Sequence, residues 1–510
     1  MTVTLRGPGL TEGQVVAVAR DGETVALAAA ARTRMERSRA RVERAAGARE
    51  PVYGVSTGFG ALAQTRVAPL RQPELQLALI RSHAAGMGPP VEIEVVRATM
   101  LLRARTVAMG LSGVRPLIAD ALIGMLNAGI TPVVPRHGSV GASGDLAPLA
   151  HIALALVGEG EVFDADGARK PAAQALKAAK LKPVKLETKE GLSLINGTDG
   201  MLGMLALACA DAELLFRTAD VTAAMSAEAL LGTDRTFQPR LHEIRPHPGQ
   251  VASAANLARM MRDSQIVASH RHSQHAVQDS YSVRCSPQVA GAARDTLEFA
   301  RRTASIELSS AVDNPVVLEN GDVESTGNFH GEPLAFAADF LAIAAAEVGA
   351  IAERRVDRLL DPHRSEGLPP FLAEEPGVNS GLMVAQYTAA ALVAENRRLA
   401  APASVDSIPT SGMQEDHVSM GWGAALKLRT VLANLGHILA VELVSAARAQ
   451  DLRRPLEASP ATAAVRDLLR TRVAGVGPDR VVAPDLAAAE ELIRSGAIIK
   501  AAESVTGPLR

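Results

Sequence analysis

The residues most able to do chemistry lie in one run, Gly138-Ser139-Val140-Gly141-Ala142-Ser143-Gly144-Asp145-Leu146-Ala147-Pro148-Leu149-Ala150-His151, which continues through an apolar stretch to Gly158-Glu159-Gly160. If the Gly144 amide nitrogen attacks the Ala142 carbonyl, a five-membered ring closes. Two dehydrations then convert the Ser143 side chain into an exocyclic methylidene, and the resulting methylidene-imidazolone is a strong electrophile. Each residue type has a reason in this scheme. Gly144 has no Cβ, so its nitrogen can reach a carbonyl two residues back through a bend that other residues resist. Ala142 is small enough to allow the approach, and Ser143 supplies the hydroxyl that leaves as water. Asp145 can orient or deprotonate the Gly144 amide, or cap the helix that opens at Leu146. A helix from Leu146 to Val157 would set the group near a positive helix end and favour negative charge developing on it. Taken alone, Ala-Ser-Gly is a turn of small residues, so the functional reading rests on the longer string.

Such a group must be held by rigid elements. The composition is 47% hydrophobic but 3% aromatic, with 21% charged residues, a mixture that favours close-packed helices over sheets. Phe336, Phe340, Ile343 and Ile351 recur at helical spacing, with Asp339 and Glu347 on other faces. Leu428, Leu432, Leu435, Leu439 and Leu443 form a second stripe that predicts core, ending before Pro455 after Arg448, Arg453 and Arg454. Similar patterns cover residues 200–233 and 382–400, whereas Gly and Pro cluster at 51–60, 86–90 and 132–148. The expected fold is mainly α, with a long-helix bundle core over residues 201–510 and a more irregular N-terminal lobe, residues 1–200, carrying the active-site loops.

Charge excludes several classes of partner. Lys and Arg total 53 against 55 Asp and Glu, a net charge of −2, which offers no attraction to nucleic acid or an anionic membrane. A small-molecule substrate is the expectation. Cys209 and Cys285 form neither a metal-ligand spacing nor a disulfide framework and read as apolar residues in a reducing compartment. The first residues carry no export or transit pattern, so a cytoplasmic protein is expected. The longest uncharged run, between Glu375 and Glu395, opens with Pro376-Gly377-Val378-Asn379-Ser380-Gly381 and leaves too short a remainder to span a bilayer.

Over residues 138–160 the sequence resembles the aromatic amino acid ammonia-lyases, and within them the branch that acts on histidine. Further blocks of that family follow in order: Tyr53-Gly54-Val55-Ser56-Thr57-Gly58-Phe59-Gly60, Arg81-Ser82-His83-Ala84-Ala85-Gly86, Leu194-Ile195-Asn196-Gly197-Thr198, Val277 to Cys285, Asp313-Asn314-Pro315, Gly327-Asn328-Phe329-His330-Gly331 and Ser411 to Gly421. The resemblance implies that Ala142-Ser143-Gly144 matures autocatalytically into the methylidene-imidazolone, with no external cofactor and no metal. It implies that Tyr53 lies beside the group and handles protons, which asks for a phenol pKa pulled below its usual value of about 10. His83 would read the substrate ring. Tyrosine-selective relatives follow this His with Leu and phenylalanine-selective ones replace it, so His83-Ala84 favours histidine.

By the same resemblance Asn196 hydrogen-bonds the substrate amine or carboxylate, Arg284 grips the carboxylate in a two-pronged contact, and Gln278 helps order the site. Tyr281 is the expected base at the β-carbon, Phe329 shapes the pocket wall, and Glu415 accepts the imidazole N–H. Two positions depart from the family pattern: Asp199, where Gln is more usual, and Ser280, where Pro is. The implied reaction is elimination of ammonia from L-histidine to urocanate. The substrate amine would add to the methylidene carbon while a tyrosine removes the β-proton, and attack by the imidazole is the alternative. A homotetramer with active sites shared between subunits is also implied. The rivals are a tyrosine or phenylalanine lyase or aminomutase of the same family and a non-catalytic scaffold. A fumarase-type lyase is disfavoured because its Gly-Ser-Ser-x-Met-Pro loop is missing.

Overall fold

A computed structural model describes residues 2–47, 52–58, 60–62, 64–273 and 276–510. Phe59, within the first of the recognised blocks, lies outside the described residues. The chain is about 59% helical, in keeping with the expected mainly α class. It divides into two compact units. One comprises residues 1–210, 300–339 and 402–426, and the other 211–299, 340–401 and 427–510. The first therefore joins the sequence-contiguous N-terminal region to two later segments, a grouping that the local pattern does not display.

The first unit holds the short strands. Val3–Leu5 pairs in parallel with Val25–Leu27, and Met87–Pro90 pairs antiparallel with Pro135–His137. Thr131–Pro132, Glu161–Phe163 and Arg169–Pro171 make a three-stranded antiparallel sheet, and Val316–Val317 pairs with Val323–Glu324. These strands tie down loops. The bulk of the unit is helical, and its most enclosed helix is Ile93–Ala108, buried throughout from Val95 onward.

That helix carries three arginines inward, which its apolar neighbours do not foretell. Arg97 donates from Nη2 to the Val18 carbonyl at 2.8 Å. Arg105 donates from Nη2 to the Glu307 carbonyl at 3.2 Å, and burial lowers its pKa to about 10. Arg103, wholly buried, pairs with the wholly buried Asp199 and donates from Nη1 to the carbonyls of Ser193 at 2.8 Å and Asn196 at 3.0 Å. Asp199 also accepts from Thr106 Oγ1 at 2.8 Å. So the acidic residue at this departure from the family pattern is matched by a cation on the central helix. Removing one partner leaves the other charge buried and uncompensated. Arg103→Ala is expected to destabilise the fold by about 3–5 kcal/mol, read as a lowered denaturation midpoint, while Asp199→Asn, which retains a hydrogen-bond acceptor, should cost less.

The second unit contains the body of the long helices. The stripe Leu428, Leu432, Leu435, Leu439 and Leu443 is core as expected, each at most 3% exposed. Beside it, Glu442 accepts from Thr222 Oγ1 at 2.7 Å and Ser226 Oγ at 2.8 Å and pairs with Arg355, so this interior carboxylate is fully matched. The other stripe corrects the sequence reading. On the helix Glu332–Leu360, Phe336, Phe340 and Ile343 are 42–45% exposed, whereas Asp339 is fully buried and accepts the Ser404 amide at 2.8 Å. Periodicity located the helix but not which face turns inward, because the buried face is built from smaller apolar residues such as Ala335, Ala338, Leu341, Ala342, Ala345 and Val348 rather than from the large ones.

Two helices, Glu332–Leu360 and Gly421–Leu452, are long and apolar enough to cross a membrane. Their most apolar windows are 56% and 83% buried within the molecule, as core helices are. The uncharged run before Glu395 becomes helical only from Met383. Cys209 is buried and Cys285 half-buried, and neither forms a disulfide.

Candidate active site

The loop Gly138–Asp145 is held by its own small residues. Ser139 Oγ accepts the Gly141 amide at 3.1 Å and donates to the Gly144 carbonyl at 3.3 Å. Ser419 Oγ donates to the Gly141 carbonyl at 3.1 Å, and the Met420 amide donates to the Val140 carbonyl at 2.8 Å. Trp422 Nε1 donates to the Arg136 carbonyl at 2.9 Å. Gly144 is required in two ways. Its φ of +76° is a left-handed value, and a Cβ there would stand 2.0 Å from the Gly197 carbonyl oxygen.

Asp145 does not cap the helix Leu146–Leu156 that it precedes. Its carboxylate instead accepts the Met201 amide at 2.9 Å and Ser139 Oγ at 3.2 Å, so it serves the first turn of the helix Asp199–Ala229. Burial, chiefly, pushes its pKa up to about 7 from an ordinary 3.8; the Met201 amide opposes this and Asp199 adds to it. Below about pH 4 both folded and unfolded chains hold this proton. Between about 4 and 7 only the folded chain does, so this group makes stability fall as pH rises through that window. Asp145→Asn, permanently neutral, should gain on the wild type in thermal midpoint between those pH values, by on the order of a few °C. A constant gap across that range would show that Asp145 does not titrate there.

Ala142 and Ser143 open onto a cavity of about 560 Å³ lined also by Tyr53, Asn314, Phe329, His330, Glu415 and His417. Ser143 Oγ donates to Glu415 Oε1 at 3.0 Å, and Thr410 Oγ1 donates to Glu415 Oε2 at 2.6 Å. Glu415 is thus half-buried and fixed beside Ser143 rather than solvated. Of the expected residues, Ala142, Ser143, Tyr53, Phe329 and Glu415 meet here, with Gly144 directly behind.

Tyr53 accepts the Gly60 amide at 3.5 Å, but its pKa is raised rather than lowered. Burial is the main cause, the Gly60 amide opposes it, and the Glu415 charge adds to it. The depressed phenol expected from the sequence is therefore not found, because burial disfavours the phenolate and the Glu415 charge adds to that. His83 hydrogen-bonds through Nδ1 to the Leu79 carbonyl at 2.9 Å, which assigns the proton to Nδ1 and leaves Nε2 as an acceptor. Burial lowers its pKa, while the Leu79 contact and Glu415 raise it. Asn196 is buried, donates from Nδ2 to the Asn314 carbonyl at 2.8 Å, and has an Oδ1 with no hydrogen-bond partner.

Gln278, Tyr281 and Arg284 belong to the second unit and are not among the residues lining the cavity. Tyr281 is 72% exposed, with the Arg284 guanidinium 4.6 Å above its ring. Ser280, the other departure from the family pattern, holds φ at −60°, within the range that a proline would fix. A larger hollow of about 750 Å³ on the second unit contains none of the expected residues. His330, His417 and Asn314 are cavity residues to which sequence reasoning gave no role, although each sits inside a recognised block. Of the buried pair Arg103–Asp199 behind Asn196, Asp199 was noted only as a departure from the family pattern, and its partner was missed because Arg103 is in no such block.

The family described as aromatic amino acid lyase matches residues 10–471. The histidine ammonia-lyase of Streptomyces coelicolor is 58% identical over the full length of both chains. Among solved structures, tyrosine aminomutase from Streptomyces globisporus superposes with a TM-score of 0.94 at 40% identity over all of both chains. Histidine ammonia-lyase from Trypanosoma cruzi does so with a TM-score of 0.92 at 40% identity, over 99% of this chain and 96% of that one.

Proposed function

The chain belongs to the aromatic amino acid lyase family, and from that membership we propose that it eliminates ammonia from L-histidine to give urocanate, using a methylidene-imidazolone formed from Ala142-Ser143-Gly144. The observation that carries this reading is the placement of Ser143 on the cavity wall, 3.0 Å from the Glu415 carboxylate, in a loop where only glycine fits at 144. The residues suit the group: the amide that must close the ring belongs to a left-handed glycine, and Ser139 anchors the main chain on either side of Ser143. Once formed, the group supplies an electrophilic carbon that makes the substrate's amino nitrogen a better leaving group.

The chain's own residues then divide the remaining work. Glu415 accepts the imidazole N–H and favours its charged form. His83, with Nδ1 committed to Leu79, offers Nε2 as an acceptor to the ring. Asn196, buried beside Asn314 of the cavity lining, has a carbonyl-type oxygen with no hydrogen-bond partner, an acceptor that suits the substrate's ammonium better than its carboxylate. Tyr53, with its pKa raised, stays protonated near neutral pH and acts as a proton donor. Phe329 shapes the wall. Tyr281 takes the β-proton, Arg284 holds the carboxylate and Gln278 helps order the site, within a cytoplasmic homotetramer whose active sites are shared between subunits. Apolar side chains left exposed on the long helices, Ile343 at 44% and Val384 at 63%, support such an assembly.

The reading is tested by incubating the purified protein with histidine, tyrosine and phenylalanine and following urocanate, coumarate, cinnamate and β-amino acids. Urocanate should dominate. A β-amino acid as the main product would favour the aminomutase reading instead, although the aminomutase shares 40% identity against 58% for the histidine lyase. Glu415→Gln is expected to lower kcat/KM for histidine by roughly 10²-fold or more, and a variant that kept wild-type kinetics would remove Glu415 from the reaction.

A further inference from the structure

We propose that His330, Glu332 and His417 form a binding site for a transition-metal dication of the zinc type, at the edge of the cavity that Ser143, His330 and His417 line. One ligand atom from each side chain lies within 4.8 Å of the other two. A tetrahedral ion with ligand bonds near 2.0–2.2 Å needs ligand atoms about 3.3–3.5 Å apart, and His330 Nδ1 is already 3.9 Å from Glu332 Oε2. The closure still needed, on the order of 1 Å, is within reach of side-chain rotation, since His330 and Glu332 are half-buried and His417 is exposed.

Three separate observations point to a cation. Glu332 Oε2 is a buried carboxylate oxygen with no hydrogen-bond partner, an arrangement that is costly unless a positive group compensates it. His330 Nδ1 accepts the Glu332 amide at 3.3 Å, so this nitrogen carries no proton, as a metal ligand requires; the bond is long and easily exchanged for an ion. The His417 ring stacks on that of His330 at 5.8 Å with 5° between planes, bringing a second imidazole to the same carboxylate.

Two imidazoles and one carboxylate select Zn²⁺, Co²⁺ or Ni²⁺ over Mg²⁺ and Ca²⁺. Three protein ligands leave a fourth position for water or a substrate group. The site goes beyond the elimination reaction and does not rest on it. The test is to strip the whole purified protein with a chelator and titrate it with Co²⁺. The expected result is a visible ligand-field spectrum saturating at one ion per chain, reversed by Zn²⁺ and unaffected by Mg²⁺ or Ca²⁺. His417→Ala and Glu332→Gln should each weaken Co²⁺ binding by more than the roughly 10–100-fold that loss of an outer-shell partner costs. Glu332→Gln keeps the side-chain shape, so it remains a test if His417→Ala does not fold, and circular dichroism verifies its fold. No saturable spectrum in the wild type, or unchanged affinity in a folded Glu332→Gln variant, would overturn the proposal.

Discussion

Ser143→Ala is expected to reduce urocanate formation to below about 10⁻³ of the wild-type rate while leaving the fold intact. The hydroxyl is the group that departs when the electrophile forms, so without it no methylidene arises. Positioned acids and bases alone contribute typically 10²–10⁴-fold, too little for a weakly acidic β-proton and a poor leaving group. The side chain makes one hydrogen bond, to Glu415, and is half-buried, so its structural contribution is on the order of 1 kcal/mol. A steady-state assay beside a thermal melt separates the two effects. Wild-type activity in the alanine variant would contradict the assignment, and collapse of the fold would show that Ser143 matters for packing.

The second large effect is at Gly144. An alanine Cβ would lie 2.0 Å from the Gly197 carbonyl oxygen and 2.2 Å from its carbon. Both are backbone atoms, in a segment that also accepts the Asp145 amide at 2.8 Å, so neither moves without disturbing the other. The left-handed φ adds about 1–2 kcal/mol for a residue with a Cβ, and the overlap adds roughly 1–3 kcal/mol or more. Gly144→Ala is therefore expected to lose several kcal/mol of stability and, in whatever fraction folds, to fail to cyclise. Gly160→Ala is the control. It has a similar φ of +72°, but its Cβ would meet nothing nearer than Leu154 Cβ at 3.7 Å, so it should show the backbone strain alone and full activity.

The contrast explains which parts were legible in the sequence. That Ala142 and Ser143 meet Tyr53, Phe329 and Glu415 at one cavity was legible because each lies in a block of the family the sequence resembles. Helices announced themselves by spacing, yet the buried face of Glu332–Leu360 did not, since Asp339 points inward to a loop amide that no periodicity records. Asp145 looked like the cap of its own helix and proved to serve another, because Met201 is 56 residues distant in the chain. The Tyr53 pKa ran opposite to expectation for the same reason: burial raises it and the Glu415 charge adds to this, and both arise only on folding. The buried Arg103–Asp199 pair and the His330–Glu332–His417 cluster likewise join segments whose separate sequences carry no mark of one another.

Tyr281, Arg284 and Gln278 were legible as residues but not as a place. They lie in the unit that does not contain the cavity lining, and the local sequence carries no mark of that division.

The most direct test of the account is the intact mass of active wild-type protein, with fragmentation across residues 142–144. Cyclisation predicts a chain lighter than its sequence by two water molecules, with the whole deficit confined to that tripeptide and absent from Ser143→Ala. Fully active protein whose tripeptide carries its unmodified mass would contradict the self-made electrophile on which the proposed reaction depends.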